Sequence, residues 1–162
     1  MISLTATQAL WFLPLALPIC VWVAISDMRS MKIPNKAVIA LFAAFTLTGF
    51  FALGWPEFPW RYLHLVVVLI IGFALNMAGL IGAGDAKFAA VMAPFVALSD
   101  LTFFMVLFAA VMLLSFAFHR LLRALPMVRA ATPEWASWTS KKFPMGLALS
   151  AALIAYLALG LH

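Results

Sequence analysis

Six apolar runs, separated by the chain's few charges, limit what it can fold into. They extend from Ala6 to Ile25, Ala37 to Leu53, Tyr62 to Ile81, Ala86 to Leu98, Leu101 to Phe118 and Met145 to Leu161. A hydrocarbon layer about 30 Å thick takes about 20 helical residues to cross, so five of the runs have the length of a span. Residues are 67% hydrophobic and 9% charged, too few polar groups to cover the apolar surface of a water-soluble globule. Inside a bilayer each segment must satisfy its own backbone, which selects helices. The expected fold is therefore an all-α polytopic membrane protein with six transmembrane helices. It forms one transmembrane domain over residues 1–162, with no separate soluble domain.

The fourth run is the exception. Its stretch from Ala86 to Leu98 carries Pro94, and as a helix it rises only about 20 Å. Such a segment must sit deep at one end, continue as non-helical backbone, or re-enter. Pro14 and Pro18 interrupt the first run and are expected to kink it. No Lys or Arg precedes the first run, and no small-residue cleavage site follows it before SDMRS, which argues against a cleavable signal peptide.

Charge sets the orientation. Arg29, Lys32 and Lys36 follow the first run, Lys87 follows the third, and Arg120, Arg123, Arg129, Lys141 and Lys142 lie between the fifth and sixth, so nine of the ten Lys and Arg fall on one side. Arg61, beside Glu57, is on the other, with Asp100. By the positive-inside rule, the first, third and fifth loops face the cytoplasm and both termini face outward. The net charge of +5 follows from this asymmetry and marks no nucleic-acid surface; anionic lipid is the expected partner of the excess charge. The single cysteine, Cys20, excludes an intrachain disulfide and a CxxC metal site. His64, His119 and His162 have no ligand spacing, so no metal and no cofactor is expected. Trp135 and Trp138 lie among basic residues in the fifth loop, a composition suited to the membrane surface.

Two acids stand out against this background. Asp27, in SDMRSMKIPN, and Asp85, in IGAGDAKF, are the only carboxylates on the basic side apart from Glu134 in the long loop. An acid at membrane depth costs several kcal/mol unless paired or hydrated, so it is a functional candidate by default. Two carboxylates that meet share one proton over a wide pH range. The ionised one can take a proton from water while the other donates to a peptide carbonyl. Gly82 and Gly84 permit a tight turn and close backbone approach beside Asp85.

The motifs around these acids are more specific than the acids. Gly82-Ala83-Gly84-Asp85-Ala86-Lys87 reads GxGDxK at the start of a membrane helix, and Asp27 precedes Ile33-Pro34-Asn35. Together with six helices, these resemble the type IV prepilin peptidases, GxGD intramembrane aspartic proteases, over nearly the whole chain. Phe143-Pro144-Met145-Gly146-Leu147-Ala148 is similar to a Pro-aromatic-Gly-x-Ala element of that family, with Met145 at the aromatic position. The resemblance implies that Asp27 and Asp85 are the catalytic pair. Gly82, Gly84, Lys87, Pro34, Asn35, Pro144 and Gly146 are then motif or substrate-proximal positions. It also implies a prepilin-like substrate, cut at the cytoplasmic face of the prokaryotic inner membrane between a short basic leader and an apolar helix. Longer members carry a cytoplasmic segment with paired CxxC motifs and methylate the new amino terminus. This chain has neither the segment nor the cysteines, so it resembles the short form of tight-adherence (Flp) pilus systems, or the archaeal preflagellin peptidases. Methyltransferase activity does not carry over.

Plainer readings stand beside these. Asp27 can pair with Arg29 or Lys32, and Asp85 can cap the fourth helix. Lys87 can snorkel to the membrane surface, Pro34 and Asn35 can fix the start of the second helix, and Asn76 can hydrogen-bond between helices. The alternative function is a small proton-coupled carrier or membrane scaffold, which acid-dependent flux in proteoliposomes without proteolysis would identify.

Overall fold

A computed structural model describes residues 2–162. The described residues form helices and turns, with no strand: α1 (Ala6–Ser30), α2 (Asn35–Leu53), α3 (Glu57–Met77), α4 (Ala83–Met92), α5 (Leu101–Ala124), α6 (Pro126–Ala131) and α7 (Met145–Leu159). Four segments are long and apolar enough to cross a membrane: α1, α2, α3 and Leu98–Ala124, which holds α5; α7 is a shorter apolar helix.

Helix ends follow local chemistry. Thr5 and Gln8 form a reciprocal capping box at the start of α1. Pro34, Pro56 and Pro144 stand at the N-caps of α2, α3 and α7, where a missing N–H costs nothing. Pro14 and Pro18 lie within α1, which stays one helix from Ala6 to Ser30. Met31 ends that helix in the left-handed region, at φ 54°, and donates its N–H to the Asp27 carbonyl at 2.8 Å. Asn76 does not bridge helices as expected from its apolar surroundings. Its Nδ2 donates to the Ile81 carbonyl at 2.8 Å, tying the turn that follows α3.

The core is built from α1, α2, α4 and α7. Helix α1 buries Ala9, Phe12, Ala16, Cys20 and Val23, a stripe at steps of three and four residues, and the next member of that stripe is Asp27. Helix α7 is buried around most of its circumference and packs against α1, α4 and α5. Phe12, Phe45 and Phe95 fill the far end, with ring centroids 5.1 Å apart for Phe12 and Phe95 and 5.3 Å for Phe45 and Phe95. A Cβ on Gly72 of α3 would lie 3.0 Å from the Ala86 Cβ, so small residues bring α3 and α4 together.

The short fourth segment resolves as a helix continued by irregular backbone. After Met92, 3₁₀ turns cover Ala93–Phe95 and Leu98–Asp100. Freed backbone groups find side chains: Arg61 donates to the Pro94 carbonyl at 3.3 Å, and the Ala97 N–H donates to the Tyr156 hydroxyl at 3.3 Å. Arg61 is itself held by Glu57 at 2.6 Å. The loop after α5 is also folded rather than spread. Trp138 is buried, stacks on His119 and Trp135, and donates Nε1–H to the Thr132 carbonyl at 2.9 Å.

Candidate active site

Asp27 lies in the last turn of α1, on its buried face, and is 4% exposed. Its Oδ2 accepts the Gly146 N–H at 2.7 Å. Gly146 is the second residue of α7, so the amide belongs to the group of helix N-terminal donors that have no partner within their own helix. One carboxylate thus links the end of α1 to the beginning of α7, residues 119 positions apart in sequence. The contact favours glycine: a Cβ at position 146 would lie 3.0 Å from both Cβ and Oδ2 of Asp27 and 3.1 Å from Ile33 Cδ1, so its neighbours would have to give way. Pro144, fully buried, sets the start of that helix.

Asp85 is half-buried in the first turn of α4. It is not the N-cap. The helix begins at Ala83 with Gly82 as cap, because small residues let it start a turn earlier, and Asp85 is the third helical position. From there the carboxylate folds back: a Cβ on Gly82 would lie 2.7 Å from Asp85 Oδ2. Both aspartates therefore rest against a glycine at the N-terminus of a helix, where free amides and the helix dipole favour an acceptor.

Ile33 joins the two halves. It is buried, lies 3.4 Å from the position of a Gly84 Cβ and, as above, touches the Gly146 position. The left-handed turn at Met31 brings it back over the end of α1. Asp27 and Asp85 are close enough for their charges to interact. Lys142, in the loop before α7, forms no ion pair with Asp85 among the described residues but is near enough for its charge to be felt there. Lys87 is exposed and forms no ion pair among the described residues. Asn35 is the exposed first residue of α2, and Pro34 is its cap, the helix-starting role anticipated for both.

Of the expected positions, the fold brings Asp27, Asp85, Gly82, Gly84 and Gly146 into one cluster and leaves Lys87 and Asn35 at its edge. Ile33 and Lys142 were not singled out beforehand. Ile33 had a signal, as the apolar member of the IPN triplet, whereas Lys142 had none beyond membership of a basic loop.

Such a cluster can hold water between two carboxylates and present one ionised and one protonated oxygen to an extended backbone. Among the described residues, no group of three His, Cys, Asp or Glu is placed to hold a metal ion.

Comparison with protein families matches residues 14–118 to the type IV leader peptidase family. The match covers more than half of the chain and includes Asp27 and Asp85, while Pro144 and Gly146 lie beyond it. Neither the comparison with curated proteins nor that with solved structures gives a match.

Proposed function

The chain belongs to the type IV leader peptidase family, and from that premise we propose that it is a membrane-embedded aspartic endopeptidase with Asp27 and Asp85 as its catalytic pair. The observation that carries this reading is that each carboxylate rests against a glycine at a helix N-terminus, Asp27 on Gly146 and Asp85 on Gly82, while Ile33 packs against both Gly146 and Gly84.

In the proposed reaction, the ionised carboxylate takes a proton from a bound water as the water oxygen attacks the scissile carbonyl. The protonated carboxyl gives its proton to the carbonyl oxygen, forming a neutral gem-diol. Collapse breaks the C–N bond as the nitrogen gains a proton from one carboxyl. The other carboxylate takes a gem-diol hydroxyl proton in the same step, so the pair again holds one proton, and the products, a leader carboxylic acid and a new amine, exchange a proton to become carboxylate and ammonium.

The substrate in this reading is a Flp-like prepilin, cut at the cytoplasmic face of the inner membrane. Support for that side comes from the excess of Lys and Arg near the Asp27 and Asp85 end. Six crossings, with the fourth completed by the irregular backbone from Ala93 to Asp100 and both termini outside, belong to the same proposal.

Purified protein incubated with a Flp-type prepilin tests it. Asp27→Asn and Asp85→Asn keep the shape and remove the acid, and each is expected to lower cleavage about a thousandfold. Unchanged cleavage by both variants ends the reading.

A further inference from the structure

A groove with a cavity volume of about 820 Å³ opens between α3 and the first half of α5. One wall is a stripe on α3, with Trp60, His64, Val67 and Leu75 at helical spacing. Leu101, Phe104 and Phe108 of α5 form the other. Ala89 and Met92 of α4 and Leu149 of α7 make the floor. Polar side chains lie near the ends: Glu57, Arg61 and His64 at one, and Asp85 at the other.

Two features say what fits there. Along α3 the lining runs from Glu57 to Leu75, about 27 Å at 1.5 Å per residue, close to the whole depth of a bilayer's hydrocarbon layer. A lipid chain occupies one leaflet, about half of that depth. An occupant matched to the groove crosses the membrane, is apolar along its length, and ends at Asp85. The walls also lack protein cover: α3 packs mainly on α4 and α5 on α7, and Val67 and Leu101 are 45% and 48% exposed.

We propose that this groove is the docking site of the substrate's own transmembrane helix, seated between α3 and α5 so that the peptide bond at its cytoplasmic end lies at Asp85. The proposal rests on the leader-peptidase reading and adds how the membrane-embedded part of the substrate is held. In this arrangement the substrate enters sideways from the bilayer, and burial of its helix against the groove supplies binding energy remote from the cut bond.

The test uses the full chain in proteoliposomes and two substrates: a Flp-type prepilin with its entire apolar helix, and a peptide ending six residues past the cleavage junction. Val67→Trp fills the groove at mid-depth. It is expected to lower cleavage of the full prepilin at least about tenfold and leave the short peptide unaffected. Ile70→Trp, on the same helix but outside the groove, is expected to cleave both as wild type does. In the Asp27→Asn background, a photoreactive p-benzoylphenylalanine at Val67 is expected to capture the prepilin, and one at Ile70 to capture lipid. Capture of only lipid or a second copy of the chain at Val67 overturns the proposal. So does full activity of Val67→Trp on the complete prepilin, or an equal loss on both substrates. A wild type that cuts neither substrate ends the peptidase reading itself, whereas a wild type that cuts both while Val67 captures only lipid ends the groove proposal alone.

Discussion

Asp27 and Asp100 sit at opposite ends of the bundle and are almost equally hidden, 4% and 3% exposed, yet they are bonded very differently. Asp100 accepts the Ser3 N–H at 2.7 Å, the Leu4 N–H at 3.1 Å and the Tyr156 hydroxyl at 2.8 Å. It fastens the segment before α1 to α5 and α7, and three donors occupy its oxygens. Asp27 accepts only the Gly146 amide among the described residues, and Ile33 packs beside it. Solvent exposure therefore does not distinguish these two acids. The number of donors does: three take up most of the acceptor capacity of Asp100, while Asp27 accepts one and keeps more for water or substrate.

The largest expected effect asks whether that division of roles is real. Asp27→Asn or Asp85→Asn is expected to lower leader cleavage about a thousandfold, about 4 kcal/mol in barrier, with thermal unfolding in detergent little changed. Asp100→Ala should do the reverse. It strands three donors and is expected to cost about 2–4 kcal/mol of stability, seen as a lower melting temperature, with cleavage retained below the transition. If Asp100→Ala abolished cleavage in fully folded protein, the comparison would fail.

Smaller changes sharpen it. Gly146→Ala forces a methyl to within 3.0 Å of the Asp27 carboxylate and is expected to lower cleavage about ten- to a hundredfold by displacing one acid from the other. At the other end, Tyr156→Phe removes one donor to Asp100 and the acceptor for the Ala97 N–H, a loss of about 1 kcal/mol in stability without a matching loss of cleavage. Met31→Gly relieves a left-handed conformation next to Asp27 and is expected to stabilise by about 0.5 kcal/mol, measured by thermal unfolding. A gain in stability accompanied by a fall in cleavage would show that the turn at Met31 positions Ile33 for the site.

Much of the site was legible along the chain. Asp27 stood out as the one acid in the apolar first helix, although that helix is apolar on every face and its buried stripe of Ala9, Phe12, Ala16, Cys20 and Val23 emerges only from packing. The GxGDxK run likewise announced a helix start with a carboxylate on it. Other features were hidden for physical reasons. Asn76 reads as a polar group in an apolar helix, and only the turn at its end reveals the Ile81 carbonyl as its partner. Trp138 reads as an interfacial tryptophan, and only the folded loop brings it onto His119, 19 positions earlier. Asp100 reads as one more charge in a loop, because its donors come from both ends of the chain.

The amino-acid order alone determined that this chain is helical and bilayer-embedded, since runs of that length and apolarity have no other low-energy backbone in hydrocarbon. It also determined which acids were worth suspecting, because a charge is costly wherever such a run surrounds it. What only the tertiary structure decided was partnership: Gly146 beneath Asp27, Ile33 between the two halves, and Arg61 and Tyr156 completing the broken fourth segment. Those contacts join residues far apart in sequence. Local periodicity constrains the face a side chain presents, while the packing of separate helices selects what meets it.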